Sequence, residues 1–525
     1  MADERTVTRR DLLALIGAAA GSSAMYQAMT SLGHAAESDY QPLALAGDPK
    51  GASVLVLGAG LAGMVAALEL GDAGYKVELL EFSDRAGGRS WTVRGGDRYV
   101  EMGGFAQHCR FDAGLYLNPG PWRIPYHHQG FLAYCRRFKV ALEPFIQVNE
   151  NAYLHATRAF GGKPQRYRHV RADFAGHVAE LLGKAVDQGR LDDAVTKEDK
   201  EILLEALRSW GALDRDFRYV AAAASERRGY DADPGGGLSA EPVPSRPLAL
   251  DDLLSTRLWR GLAVGATYEF LMPMFQPQGG MDRLAQALRR ALGGVIRFGA
   301  QVTAIHQDEN RVTVTYRRGG ATEQAVADWC VCAIPLSILS QLDLTVSAPM
   351  ATAIAAVPYA PAVKIGLQMK RRFWEEDEAI YGGITYTDLP IRSIGYPASD
   401  YGSAGKGVLL GAYVIADTYA FELGALPPAE RVAKAVEWGA AIHPQYKDAF
   451  ENGVAVAWQR NPGSLGCFGL WSDAARKQHY KNLCALDGRI VLAGEHASYL
   501  PAWQEGAILS ALDAVKRLHA RVVGG

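Results

Sequence analysis

Residues 52–63 read Ala-Ser-Val-Leu-Val-Leu-Gly-Ala-Gly-Leu-Ala-Gly, an apolar run followed directly by a glycine-rich turn. The apolar run predicts a strand from Ala52 to Leu57 that is buried on both faces of a parallel sheet. The pattern becomes helical from Met64 to Ala73, and a second strand is predicted from Lys76 to Leu80. This order of elements predicts a strand–helix–strand unit.

The glycine-rich turn matches the fingerprint of a dinucleotide-binding site. Gly58 permits a tight turn, Gly60 lets a pyrophosphate approach the backbone, and Gly63 allows the helix to pack closely. The helix N-terminus, at Leu61 and Ala62, would stabilise the negative charge of the phosphates. The turn therefore predicts where the diphosphate of a dinucleotide lies.

An acidic residue and a second glycine motif follow the second strand. Glu81 ends that strand and is predicted to accept hydrogen bonds from the adenosine ribose hydroxyls. The next motif is Arg85-Ala86-Gly87-Gly88-Arg89, which resembles the double-glycine-arginine motif of FAD proteins with the glutathione reductase and amine oxidase architecture. A charge-assisted contact from Arg89 would neutralise a buried pyrophosphate. These residues favour FAD over NAD.

The C-terminal part carries a third signature. Residues 491–496 read Val-Leu-Ala-Gly-Glu-His, and residues 502–507 read Ala-Trp-Gln-Glu-Gly-Ala before a predicted helix. With residues 279–284, Gly-Gly-Met-Asp-Arg-Leu, they resemble the flavin amine oxidase family over essentially the whole chain after residue 50. The resemblance implies that Glu495 binds the ribityl chain and that Arg89 contacts the phosphates.

The same resemblance implies further contacts with the cofactor. The helix that includes Gly506 and Ala507 would point its N-terminus at the isoalloxazine ring. The backbone of Val302 would bind the adenine, and Gly103 is a further expected contact. The covalent flavins of the family are attached to a cysteine near the C-terminal signature, but residues 495–506 contain none. We therefore expect non-covalent FAD.

The fold class implied is α/β, with a discontinuous Rossmann-like FAD-binding domain of the glutathione reductase and amine oxidase type. A substrate-binding domain on a mixed or antiparallel sheet is expected from the short strands between about Ile365 and Val414, and apolar residues at helical spacing predict a helical insertion. The expected ranges are 50–115, 280–345 and 465–525 for the FAD-binding domain, 116–150, 246–279 and 346–464 for the substrate-binding domain, and 151–245 for the helical domain.

Two segments resemble the L-amino acid oxidases within this family. The first is Asn118–Pro125, in which the resemblance implies that Arg123 makes a bidentate pair with the substrate carboxylate. The second leads from Thr387 to Pro397, and its Tyr396 would donate to the same carboxylate. Three aromatic side chains are candidates for the wall of an apolar pocket that weakly favours large hydrophobic or aromatic amino acids: Trp122, Phe468 and Trp503.

The resemblance also implies roles at the reacting centre. Trp503 would stand beside the flavin, and the carbonyl of Ala502 would accept from the substrate amine, although the family usually has glycine at this position. Lys364 matches a family lysine that holds a water against the reactive flavin nitrogen. Positioning would replace much of the acid–base chemistry, so that hydride transfer yields an imino acid, which water converts to a 2-oxo acid and ammonia. Dioxygen would reoxidise the flavin to give hydrogen peroxide.

Composition limits the partners. The 525 residues carry a formal net charge of −2. The chain therefore lacks the positive charge that drives non-specific nucleic-acid binding, and no nucleic-acid partner is expected. The six cysteines form no CxxC pair and no zinc-type spacing with histidine, so they are expected to be small buried hydrophobes and no metal is expected. The family resemblance suggests a homodimer.

The first forty residues resemble a twin-arginine export leader. Arg9 and Arg10 precede an apolar run to about Ala20, and small residues follow to about Ala36. A leader of this kind predicts a bacterial periplasmic or secreted enzyme; the alternative is an N-terminal helix of a cytoplasmic protein. The apolar run is too short for a stable transmembrane span.

Three other functions remain open at this stage. A tryptophan 2-monooxygenase-like enzyme would share the fold and arginine but release an amide. In a monoamine or polyamine oxidase, Arg123 would be structural. A catalytically idle flavoprotein is a third alternative, which the retention of every cofactor signature disfavours. The accepted amino-acid side chain is not determined by these motifs.

Overall fold

The computed structural model describes residues 40–190, 196–238 and 241–524. The expected export leader, with Arg9 and Arg10, lies outside these residues. The first structural unit is a six-stranded sheet, here called the nucleotide sheet. Its strands run parallel except the last, which is antiparallel to its neighbour. In sheet order they are Ile296–Arg297, Lys76–Leu80, Ser53–Leu57, Trp329–Cys332, Ile490–Leu492 and Leu486–Asp487.

Both faces of the nucleotide sheet are covered, as the apolar run of its first strand predicts. Val54 and Val56 face one hydrophobic cluster, which contains the helices Leu61–Asp72, Arg283–Leu292 and Gln504–Gly524. Leu55 and Leu57 face a second cluster on the opposite side. Because successive side chains of a strand point to opposite faces, a strand covered on both sides is apolar throughout.

The second cluster is completed by a four-stranded sheet. Its strands, in order, are Ala321–Ala327, Val312–Arg318, Gln301–Gln307 and Asp343–Leu344. The two middle strands pair antiparallel and form a hairpin with its turn at Glu309 and Asn310. Val312, Val314 and Tyr316 are fully buried against the nucleotide sheet.

A seven-stranded sheet forms the second large unit, and its strands surround a separate core. The strand Ala362–Met369 is buried at every position and lies between two antiparallel neighbours. Two of its strands come from the segment expected to be helical, so that segment is not purely α-helical. The strands in order are Gln165–Arg166, Tyr153–His155, Ile384–Thr387, Ser393–Gly395, Gly407–Ile415, Ala362–Met369 and Phe450–Ala457.

Short sheets connect these units. One of them has three strands, in the order Ile124–Pro125, Met274–Pro277 and Leu142–Phe145. The other three are two-stranded: Val93–Arg94 with Tyr116–Leu117, Arg98–Val100 with Ala106–His108, and Tyr230–Ala232 with Val243–Pro244. The division into three domains stays a prediction.

The helices between residues 167 and 228 pack on one another as the helical spacing predicts. The six described cysteines are free, and four of them are buried. Within the described part of the chain, no helix is both long and apolar enough to cross a membrane. Besides those already given, the α-helices are Gln129–Arg137, Tyr167–Asp187, Lys197–Gly211, Ala221–Arg228, Leu250–Ser255, Trp259–Ala263, Leu336–Leu339, Ala348–Ala355, Phe373–Glu376, Thr418–Ala425, Pro428–Gly439, Tyr446–Ala449 and Asp473–Cys484.

Candidate active site

The glycine-rich turn lies at the carboxyl end of the central strand of the nucleotide sheet. Gly58 has φ +97°, and its N–H donates to the carbonyl of Leu80. A Cβ on Gly63 would lie 1.9 Å from the carbonyl oxygen of Gly58, so only glycine allows this approach of helix and strand. A Cβ on Gly60 would meet no atom within 4 Å. The helix that starts at Leu61 has no side-chain cap at this position, which leaves its N-terminus available to an anion.

A cavity of about 950 Å³ opens over this turn. Such a volume is at the upper end of the usual range for ligand sites, about 300–1,000 Å³, and suits a dinucleotide. Five of the residues expected to bind the cofactor line it: Gly58, Gly60, Glu81, Arg89 and Val302. The open space at Gly60 therefore lies where a pyrophosphate is expected. The guanidinium of Arg89 and the carboxylate of Glu81 give the cavity a donor and an acceptor that fit FAD.

Glu81 is held in place by backbone donors. One carboxylate oxygen accepts from the N–H of Ala59 at 2.6 Å, and the other accepts from both the N–H and the hydroxyl of Ser83. The side chain is buried at the wall of the cavity. These bonds orient the carboxylate and stabilise its charge, as a partner for ribose hydroxyls requires.

Arg89 and Glu495 come from signatures 406 residues apart and form an ion pair of 2.6 Å. Burial disfavours the charged guanidinium, but the Glu495 carboxylate outweighs this and raises the pKa of Arg89 above its ordinary value. The Glu495 carboxylate also accepts from the N–H groups of Gly469 and Ala502. The structure thus brings the two signatures together, while the contacts expected with phosphate and ribityl chain stay predictions.

The last helix begins directly after Ala502 and Trp503. Gly506 lies in its first turn, where a Cβ would be 2.2 Å from the carbonyl oxygen of Leu500, and Ala507 follows it. Ala502 has φ +70°, a left-handed conformation that favours glycine. The glycine usual in the family is therefore the residue that this backbone prefers.

Gly103 is placed differently from the expectation. It lies in the exposed turn between the strands Arg98–Val100 and Ala106–His108, with φ +93°. The nearby Met102 lines the cavity, whereas Gly103 does not. The structure therefore gives Gly103 a role in the turn and no contact with the cofactor cavity.

Lys364 is almost completely buried in the seven-stranded sheet. Its Nζ donates to the carbonyl oxygens of Asn118, at 3.2 Å, and Gly120, at 2.5 Å, and lies 4.3 Å from the ring centre of Tyr413. Burial lowers the pKa of Lys364 to about 7, and the nearby Arg123 acts in the same direction. The amine is therefore partly neutral near neutral pH, which is unusual for lysine and typical of functional sites.

Arg123 lies among aromatic side chains. Its guanidinium carbon is 4.5 Å from the ring centre of Phe270 and 5.4 Å from that of Trp122. Among the described residues it forms no ion pair, and its buried Nε has no hydrogen-bond partner. Burial of the guanidinium lowers the pKa of Arg123 below its ordinary value. The residue as a whole keeps some accessible surface. A cation in such surroundings requires an anionic partner.

Two of the three expected pocket aromatics lie near Arg123. Trp122 and Trp503 belong to one apolar cluster with Phe270, an aromatic residue that the sequence motifs did not indicate. The ring of Trp503 lies 6.0 Å from that of Phe270. Phe468 makes no ring contact with either tryptophan among the described residues, and its carbonyl accepts from Ala360.

The expectation for Tyr396 is wrong in this structure. Its hydroxyl lies in the core of the seven-stranded sheet, 2.7 Å from the Thr385 hydroxyl and 2.6 Å from His443. The preceding Gly395 faces the other side, where a Cβ would be 2.3 Å from Trp122. Neighbouring side chains of an extended chain point in opposite directions. Tyr396, which follows the strand Ser393–Gly395 directly, therefore points away from Trp122 and the pocket around Arg123.

Tyr386 and Tyr413 are instead the tyrosines in the electrostatic surroundings of Arg123: burial raises the pKa of each hydroxyl to about 12, and the Arg123 guanidinium acts in the opposite direction. Tyr386 accepts from the side-chain amide of Gln147. Both tyrosines lie on strands of the seven-stranded sheet, at Ile384–Thr387 and Gly407–Ile415. The sequence predicts short strands in this region, but it does not show which side chains of those strands point toward Arg123.

Together, the fold and the cavity define a dinucleotide-binding protein of the doubly wound α/β class. Comparison with known proteins identifies the family more closely. The family model described as "Flavin containing amine oxidoreductase" matches residues 61–519. The chain therefore belongs to the flavin-containing amine oxidoreductase family, and its cofactor is FAD.

Curated relatives span nearly the full chain. A putative L-amino-acid oxidase of Bacillus subtilis is 29% identical over 87% of this chain and 93% of its own length. A flavin-dependent L-tryptophan oxidase of Lentzea aerocolonigenes is 29% identical over 89% and 98%. Among solved structures, putrescine oxidase bound to putrescine has a TM-score of 0.57 at 16% identity and covers 90% of this chain and 99% of its own. This structural likeness supports the fold.

Proposed function

We propose that this enzyme oxidises free L-amino acids and passes the electrons to dioxygen, giving a 2-oxo acid, ammonia and hydrogen peroxide. The observation that carries the proposal is the Arg123 guanidinium, which is enclosed by aromatic rings and has no acidic partner among the described residues. An unpaired buried cation is costly, and a substrate carboxylate would offset that cost. A substrate without a carboxylate leaves it unpaired.

The geometry suggests how the chain would orient an amino acid. The planar guanidinium of Arg123 matches a carboxylate with two parallel hydrogen bonds. The carbonyl of Ala502, next to Trp503, would accept from the substrate amine, as the family resemblance implies. Bound FAD would supply the acceptor for the hydride of the α-carbon. With both ends of the substrate held, the α-hydrogen needs only to be positioned, and no general base is required.

Lys364 supports the same reaction. Its Nζ has two carbonyl partners and no carboxylate partner among the described residues, and its pKa near 7 allows a neutral amine. A neutral lysine amine can accept a hydrogen bond from a water molecule. We propose that Lys364 holds such a water close to the flavin.

The aromatic surroundings favour large hydrophobic or aromatic substrates. Trp122, Phe270 and Trp503 provide apolar surface around Arg123. The similarity to an enzyme named as an L-tryptophan oxidase supports this choice. A broader substrate range is compatible with the same pocket.

Arg123→Ala tests the proposal. Removing one partner of a buried ion pair costs roughly 3–5 kcal/mol, which corresponds to a loss of about a hundredfold to several thousandfold in kcat/KM for the best L-amino acid. Arg123→Lys should restore only part of the activity, because an ammonium lacks the planar fork. FAD content and thermal stability should change little. Peroxide formation across the twenty amino acids, with product identification, is the assay.

Arg260→Ala is the matched control, since this exposed arginine also interacts with Tyr386 and Tyr413. It should retain the parent's activity. Equal turnover of the amine that lacks the carboxyl group, together with an unaffected Arg123→Ala variant, would show an amine oxidase instead. An amide product would identify a monooxygenase.

A further inference from the structure

Two histidines and a glutamate converge next to the substrate pocket. The Nε2 atoms of His127 and His128 each lie 3.7 Å from Oε2 of Glu269. Their three potential ligand atoms all lie within 4.8 Å of one another. The histidines precede the helix Gln129–Arg137, and Glu269 lies in the short 3₁₀ turn Tyr268–Phe270. Distant parts of the chain therefore meet at this cluster.

Among the residues that the structure describes, four of the converging polar atoms make no hydrogen bond: Nε2 of His127, Nε2 of His128, Nδ1 of His127 and Oε2 of Glu269. Both histidine side chains are at least nine-tenths buried. A separation of 3.7 Å is too long for a direct hydrogen bond. Buried polar atoms without partners are rare and require an explanation, such as an ion.

The spacing fits a shared metal ion. Bonds of about 2.0–2.1 Å from nitrogen and oxygen to zinc, in a tetrahedral arrangement, place neighbouring ligand atoms about 3.4 Å apart. The two histidine–glutamate separations of 3.7 Å are slightly longer than this value, and the two histidine nitrogens, which lie within 4.8 Å of each other, must also approach when the ion binds. Two imidazoles with one carboxylate form a donor set that suits zinc and similar divalent transition metals, with a water in the remaining position.

We propose that His127, His128 and Glu269 bind one divalent transition-metal ion of the zinc class. The ion would join two walls of the pocket around Arg123. Phe270 follows Glu269 directly and lies 4.5 Å from the Arg123 guanidinium, while the ring of His128 lies 4.9 Å from that of Trp503. The metal positions pocket walls and takes no part in electron transfer.

Zinc titration of the chelator-treated holoenzyme, without substrate, tests the site. Calorimetry should show about one tight Zn²⁺ site per chain. Glu269→Gln and His127→Asn should each weaken it by at least about a hundredfold, since loss of an outer-shell partner alone costs about 10–100-fold. His306→Asn is the control: this half-exposed histidine lies 3.3 Å from Asp343, no third ligand joins them among the described residues, and its loss should leave the tight site intact.

A second readout uses thermal unfolding. Saturating Zn²⁺ should raise the Tm of the parent and His306→Asn by a few degrees, because a ligand that binds only the folded state stabilises it. The near-isosteric Glu269→Gln variant should retain FAD and lose this shift. Absence of a tight site in the parent, or equal zinc affinity in parent and Glu269→Gln, would overturn the proposal. Neither outcome depends on whether the substrate is an amino acid.

Discussion

Replacing Lys364 with methionine should change how the stability of the enzyme depends on pH. Lys364 is 1% exposed, and burial lowers the pKa of its amine from the ordinary 10.5 to about 7. Methionine preserves most of the volume and removes the titrating group. The two carbonyls that accept from Nζ, those of Asn118 and Gly120, lose a donor in the variant. This loss lowers stability at every pH and so does not alter the slope.

The sign follows from proton binding in the two states. Between about pH 7 and 10.5 the Lys364 amine is protonated in the unfolded chain and neutral in the folded protein. Unfolding then takes up a proton, so stability rises with pH through this window and falls as pH decreases to about 7. The slope is about 1.4 kcal/mol per pH unit, and the full window corresponds to about 5 kcal/mol. The variant lacks this contribution.

Denaturant unfolding of the FAD-saturated parent and Lys364→Met at several pH values from 7 to 10 measures the difference. The parent should gain stability relative to the variant by about 1.4 kcal/mol for each pH unit. Lys370→Met is the control, because this exposed lysine also donates to a main-chain carbonyl, that of Asp448. Parallel pH profiles for parent and Lys364→Met would refute the lowered pKa. If Lys364 also holds a catalytic water, stopped-flow reoxidation of the flavin by dioxygen should slow.

Three further changes have defined outcomes. Ala502→Gly should raise the free energy of unfolding by about 0.5–1 kcal/mol, because relief of the left-handed strain at φ +70° exceeds the added entropy of the unfolded chain. The control Ala520→Gly, at an exposed helical position, should lower the free energy of unfolding. A loss of stability in Ala502→Gly would contradict this account. Acid precipitation should release intact FAD, since residues 495–506 lack cysteine; colour in the pellet would indicate a covalent flavin. Replacing Arg9 and Arg10 together with lysine should retain the enzyme in the cytoplasm, and unchanged fractionation would favour an ordinary N-terminal helix.

Most features of the nucleotide sheet and its glycine-rich turn can be predicted from the sequence. The roles of Gly58, Gly60 and Gly63 in the turn and in helix packing depend only on the backbone of a few neighbouring residues, so the local sequence is enough to predict them. The strand Lys76–Leu80 has the predicted bounds, and the first strand differs from its prediction by one residue. Glu81 lies on the wall of the cavity, and its contact with the adenosine ribose stays a prediction. Local periodicity and glycine placement suffice for these features.

The substrate half depends on tertiary contacts. The direction of Tyr396 was predicted wrongly because it lies just beyond a short strand, where a shift of one residue exchanges the two faces of the sheet. For the same reason the sequence does not identify Tyr386 and Tyr413, which lie on separate strands and contribute to the electrostatic surroundings of Arg123.

Long-range pairing limits what the sequence determines. The Arg89–Glu495 pair joins residues 406 positions apart, and no spacing rule connects them. The adjacent histidines 127 and 128 acquire a common partner only when the chain brings Glu269 to them. Local backbone preferences determine the turn that receives the diphosphate, whereas side-chain directions set by packing between distant segments decide which charges meet around the substrate.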